Sequence, residues 1–360
     1  MRVRSLAVAA AALLALVVVP AGPPAAAATP DRWGFAAVWN PAVPAWTTLD
    51  TTRQWGSWKA ALPAAWATGG KIGTGRFQVR FPAVGFGSRG NVHVTAVGRA
   101  GNYCETVRWF QSGVDEIVEV QCHRPGGAPA DTPFTVLWSV SSAGPVPGGY
   151  ATVQATAGGL IAQSYNSAGA GVVVSPGGPG QYTVRFLGVA AGVLAGNLQV
   201  TALHTGGVAR RCAVATWSVV GADVSLLVFC VDAAGLLTNT EFTASYHRER
   251  AVFGGFAPPK YLGYVWSAGA GQTNFNGIGG FGVNSITATA PPGRYTVRYP
   301  QLGIRETHAQ VTASGVGTAY CGLTLPWTYA GPDALLDVIC FDNTGNPTPH
   351  QYFASFTSRV

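Results

Sequence analysis

No stretch of this chain runs apolar for long enough to cross a membrane. The apolar run over residues 6–19 falls short of the roughly 20 residues that a helical span needs, and the other long apolar stretch, 186–203, is interrupted by glycines and by Asn197. Catalytic signatures are missing as well. There is no Gly-x-Ser-x-Gly elbow, no His-Glu-x-x-His, no phosphate-binding Gly-Lys-Ser/Thr loop and no dinucleotide fingerprint after a strand. The chain has no Cys-x-x-Cys, and only Cys122 has an adjacent histidine, His123, so neither zinc nor any other cofactor is expected. Charge is sparse: removing Arg2 and Arg4 lowers the net charge from +7 to +5, spread as +3, +1 and +1 over three similar segments. No segment carries a basic footprint, which argues against nucleic acid as a partner.

What is present begins with an export signal. Arg2 and Arg4 precede the apolar run, Pro20 breaks it, and the alanines of residues 25–28 follow, the layout of a secretory signal peptide over 1–28 cleaved after Ala28. No cysteine lies near that site to carry a lipid, and residues 353–360 read as a last strand, not a sorting tail. The expectation is a secreted, extracellular protein with no integral membrane anchor, in a compartment where thiols oxidise. The 48 glycines and 24 prolines, with many Val, Thr and aromatic residues, suit short strands joined by turns, so the fold class expected is all-β.

A unit of about 108 residues occurs three times. GRFQVRF (75–81) recurs as GQYTVRF (180–186) and GRYTVRY (293–299). NVHVTA (91–96) recurs as NLQVTA (197–202) and HAQVTA (308–313). A cysteine follows each time, then a Trp (Trp109, Trp217, Trp327), a Gly-x-Asp ending at Asp115, Asp223 or Asp333, and a second cysteine. Alternation places Phe77, Val79 and Phe81 on a core face and Arg80 on the solvated one, as also for Arg185 and Arg298; the second motif sets Val92, Val94 and Ala96 opposite His93 and Thr95.

The pairs Cys104/Cys122, Cys212/Cys230 and Cys321/Cys340 have midpoints at Gly113, Gly221 and beside Gly331, so each brackets a hairpin. Opposed residues in a non-hydrogen-bonded antiparallel pair lie about 4.5 Å apart, within disulfide reach. Three local bridges are predicted, none between repeats. The seven or eight short strands per unit favour three tandem β-sandwich-like domains over closed barrels: repeat 1 over 29–142, a linker at 143–149, repeat 2 over 150–250 and repeat 3 over 251–360. Limited, semi-flexible contact between the domains is expected.

The unit resembles the uncharacterised secreted β-repeat proteins of actinobacteria, whose repeats carry a similar aromatic-x-Val-x-Phe strand, an Asn-Val-x-Val-Thr-Ala strand and a Cys…Trp…Gly-x-Asp…Cys hairpin. The resemblance implies export and a β fold and brings no activity with it. Repeat 2 departs by placing Gln154 where the others have Trp39 and Trp266, and repeat 3 by placing His308 where the others have Asn.

The only ionisable residues common to the repeats are the three strand arginines and the three hairpin aspartates, each Asp expected to bond the backbone of its own turn. Glu105, Glu116 and Glu119 are read as exposed strand carboxylates, and no catalytic residue is assigned. Six of the eleven tryptophans lie in residues 33–66. Trp46, Trp55, Trp58 and Trp66 have no clear counterpart elsewhere and are the ligand-binding candidates, planar groups able to stack on sugar rings. The expected function is a non-catalytic structural or interaction role, with an extracellular protein or glycan as partner. The alternatives are glycan binding through these tryptophans and, more remotely, hydrolysis.

Overall fold

The computed structural model describes residues 31–140, 147–255 and 261–359. The expected signal peptide, 1–28, and most of the expected linker, 143–149, lie outside the described residues. Strands make up 54% of the described residues and helix 2%, so the fold is all-β. Each repeat is a sandwich of an inner and an outer sheet. In repeat 1 the inner sheet pairs Arg32–Val38, Phe134–Val140 and Asn91–Ala96, and the outer one Thr68–Gly73, Arg76–Phe81, Asp115–His123 and Tyr103–Ser112. Repeats 2 and 3 follow the same order. The predicted core face is in place: Phe77, Val79 and Phe81 meet Val92, Val94 and Val136 between the sheets.

Each disulfide staples the outer-sheet hairpin of its own repeat. Cys104 faces Cys122, Cys212 faces Cys230 and Cys321 faces Cys340 as direct register partners, with Cα atoms 4.0, 4.1 and 4.0 Å apart. The hairpins turn on Gly113, Gly221 and Gly331 at φ 61°, 61° and 60°. A first loop residue at positive φ matches the right-handed strand twist, and glycine takes it without Cβ strain.

The repeats do not sit at arm's length. Leu203 of repeat 2 bridges in parallel to Thr106 of repeat 1, Ser314 of repeat 3 to Val214 of repeat 2, and Val97 of repeat 1 to Leu323 of repeat 3. At all three seams the next amide, His204, Gly315 or Gly98, donates to the facing carbonyl at 2.9, 2.9 and 2.7 Å. The chain therefore closes into a three-membered ring with pseudo-threefold symmetry.

The second repeated motif explains the closure. Its polar face meets the polar faces of the other two repeats, not solvent, and the bonds run cyclically. Thr95, Thr201 and Thr312 accept the amides of Val311, Val94 and Val200 at 2.9, 3.3 and 3.1 Å. The same hydroxyls meet Gln310, His93 and Gln199. All six side chains are buried. Composition makes this face look solvated; mutual satisfaction of its amides and hydroxyls is what permits its burial. The expectation of limited, semi-flexible contact is corrected on this ground.

Candidate functional site

The hairpin tryptophan of each repeat lies at a seam with the next. At the seam of repeats 3 and 1, Trp327 meets Trp39 edge-on, with centroids 5.6 Å apart; at that of repeats 2 and 3, Trp217 meets Trp266 at 5.5 Å in the same manner. Between repeats 1 and 2 the partner of Trp109 would be Gln154, which is too small to fill the space. A groove of about 530 Å³ opens there.

Its walls are built by the seam itself. Gln163, on the strand paired with that of Gln154, donates to the Gln154 Oε1 at 2.6 Å and to the Ser88 carbonyl at 3.0 Å, while its own Oε1 accepts the Gly90 amide at 2.8 Å. Trp109 Nε1 donates to the same Ser88 carbonyl at 3.0 Å. Arg89, Arg108 and Glu241 also border the groove, and burial raises the Glu241 carboxyl above its ordinary value. Trp109, Ala162 and Leu203 supply apolar lining. The result is a concave surface with hydrogen-bond donors and acceptors around an apolar patch, the composition that suits a polyhydroxylated ligand. Another groove, of about 560 Å³, lies in repeat 3 around Tyr295, Val316 and His350, with no charged side chain in its lining.

The four tryptophans singled out from the sequence do not form one platform. Trp58 is buried, stacked on Phe81 at 6.0 Å and donating from Nε1 to the Ala65 carbonyl at 3.1 Å. A Cβ on Gly56 would lie 1.8 Å from its ring, so the glycine is needed for the indole to enter the core. Trp58 is therefore corrected from ligand candidate to core residue. Trp55 and Trp66 meet edge-on at 6.4 Å and are half-buried. The chain's own Lys59 ammonium lies 5.0 and 3.1 Å from their centroids, and the Arg359 guanidinium 5.1 Å from that of Trp55. Their faces are thus engaged by internal cations. Trp46 is 45% exposed and lies under Arg80 of the outer sheet, at 5.5 Å.

Glu105, Glu116 and Glu119 of repeat 1 are buried, not exposed, and each is engaged in the fold. Glu105 meets His123 at 2.9 Å and accepts the Arg210 amide of repeat 2 at 2.9 Å; burial pushes its carboxyl up to about 7 against the pull of His123. Glu116 accepts the Phe86 amide at 3.0 Å and is raised by burial to about 8. Glu119 is opposed by burial too, but Arg108, Arg76 and Gln78 outweigh it and hold the carboxyl at about 2. Strand alternation puts Glu116 and Glu119 on opposite faces, so they make no catalytic pair.

The recurring arginines and aspartates pair with each other. Arg80 meets Asp115 at 3.5 Å, Arg185 meets Asp223 at 2.6 Å, and Arg298 pairs with Asp333. The expected bond from each aspartate to its own turn is corrected: the second oxygen accepts the amide of Ala83, Gly188 or Gln301, in the turn leaving the neighbouring strand.

Sequence reasoning noted Gln154 as a departure without reading it as a site. The signal was a small polar residue at a position that is Trp in the other two repeats. Comparison with family models, with curated proteins and with solved structures finds no match to this chain.

Proposed function

We propose that this chain is a secreted, non-catalytic extracellular protein that binds a glycan in the groove between its first and second repeats. The observation that carries the reading is the substitution of Gln154 for tryptophan at one of three equivalent seams, which replaces an aromatic plug with a groove lined by amide, carboxylate and guanidinium groups. The ionisable residues that recur in all repeats are engaged in pairs that hold the fold, which favours binding over catalysis. Three disulfides fit an oxidising compartment. Among the described residues no helix is long and apolar enough to cross a membrane.

Calorimetric titration of the purified chain with oligosaccharides from cell-wall and plant polysaccharides tests the reading. The expected result is saturable binding of at least one of them, lost in Gln154→Trp, which restores the plug while the circular dichroism spectrum stays unchanged. Absence of heat with every glycan, or binding unaltered by Gln154→Trp, overturns it.

A further inference from the structure

The residue before the first cysteine of each repeat points to a second site, on the pseudo-threefold axis. In repeats 1 and 3 it is Tyr103 and Tyr320, in repeat 2 it is Arg211, and all three line one axial cavity of about 60 Å³ together with Thr95, Thr201 and Thr312. The Arg211 guanidinium lies between the tyrosines, 4.7 Å from the Tyr103 centroid and 4.4 Å from that of Tyr320.

Arg211 is only 8% exposed. Its Nη2 donates to Asn343, but Nε and Nη1 find no hydrogen-bond partner among the described residues, and neither does the buried Tyr103 hydroxyl. Asp232 acts on the guanidinium through space, yet its Oδ1 is taken up by the amides of Ala234 and Leu236 at 2.9 and 3.0 Å. Arg210 lines the same cavity. Burial is the largest influence on Arg211 and works against its charge. A buried guanidinium with unengaged donors favours a counter-ion, and two ring faces offset only part of the cost of its dehydration.

We propose that this axial cavity is a binding site for a small inorganic anion of halide size, held by Arg211 Nε and Nη1 and by the Tyr103 hydroxyl. A water centre needs roughly 10–15 Å³, so the cavity has room for such an ion with a few waters. The three hairpins meet around it, and the ion would join repeats 1 and 2 through its ligands.

The test uses the full mature chain. Crystals soaked in sodium bromide are expected to give an anomalous peak beside Arg211. In solution, Tm is expected to climb with bromide or chloride relative to gluconate at equal ionic strength. Arg211→Tyr, which gives repeat 2 the residue found at this position in the other two, is expected to abolish both the peak and the anion dependence. An axial site holding water alone with no anomalous signal, together with equal Tm in bromide and gluconate, overturns the proposal. The soaked wild-type crystal decides it even if the variant fails to fold.

Discussion

Arg185 and Asp223 form a 2.6 Å ion pair, and the other oxygen of the same carboxylate accepts the Gly188 amide at 2.9 Å. Gly188 stands at φ 71°, and its counterparts Ala83 and Gln301 take φ 52° and 60°, a region that side chains with a Cβ seldom adopt. The aspartate thus fixes a left-handed turn from the hairpin next to it, and the arginine orients the aspartate. The two bonds are not equivalent: the arginine is half in water and loses little when released, whereas the amide bond also holds the left-handed backbone of the turn. Asp223→Ala is therefore expected to lower Tm clearly and Arg185→Ala only marginally, as read by differential scanning calorimetry. Equal losses from the two variants would show that the ion pair, not the amide bond, holds the turn.

Trp58 and Trp46 are separated by burial, and their removal should show it. Trp58→Ala leaves a hole between Gly34, Gly56 and Phe81 and is expected to cost about 3–5 kcal/mol. Trp46→Ala removes an exposed ring that touches one arginine and is expected to cost under about 1 kcal/mol. Urea denaturation of both variants measures the difference, and a large loss from Trp46→Ala would mean that the ring is packed.

The contrast between these residues marks what a sequence of this kind discloses. The three hairpins, their glycine turns and their disulfides were legible because cysteine spacing and strand alternation are local constraints. The arginines and aspartates were visible as the recurring charges, but which pairs with which depends on strand order in the outer sheet, and that is not local. Ring closure was hidden for a stronger reason. Thr95, Gln199 and Gln310 carry the composition of a solvated face, and only partners about 110 or 215 residues away make their burial tolerable. The groove followed the same logic: Gln154 stood out by its identity, but its meaning required knowing that Trp39 and Trp266 each meet a tryptophan from another repeat.

The seam tryptophans give a converse of the Gln154 argument. Trp266 stacks on Phe353 at 5.8 Å, meets Trp217 at 5.5 Å and donates to Ser314 at 3.2 Å. Trp266→Gln should create at the seam of repeats 2 and 3 the opening that exists naturally between repeats 1 and 2. Since Phe353 stands where repeat 2 has Thr243, its ring has no counterpart in the natural groove and will not have adapted to the smaller side chain. A loss of about 3 kcal/mol is expected, by analogy with other large-to-small core changes. The crystal structure of the variant should show a new cavity beside Trp217, and collapse of Phe353 into the space with no loss of stability would contradict the account.

Stability should depend on pH through the polar axis. Burial holds His93, His247 and His308 down at about 3 against an ordinary value of 6.5, so each is neutral in the folded chain and protonated in the unfolded chain below pH 6.5. Their contribution is complete above pH 6.5 and falls with acid, together by about 4 kcal/mol per pH unit. Two buried carboxyls act with the opposite sign. Burial raises Glu105 to about 7 and Glu116 to about 8, so each keeps its proton in the folded chain after losing it in the unfolded one, and its contribution diminishes as pH rises from about 4.5 through those values. From pH 6 down to 4.5 they offset about two thirds of the histidine loss. Below 4.5 Glu105 and Glu116 are protonated in both states, and Glu119, held at about 2, joins the histidines. The expected profile in urea denaturation is a maximum near pH 6.5, a shallow decline down to about 4.5 and a steep loss below that. His308→Asn, which supplies the residue found at this position in the other two repeats, should make the acid limb shallower by about 1.4 kcal/mol per pH unit. An acid limb unchanged by His308→Asn would show that this histidine titrates normally in the folded chain and that the axis admits water.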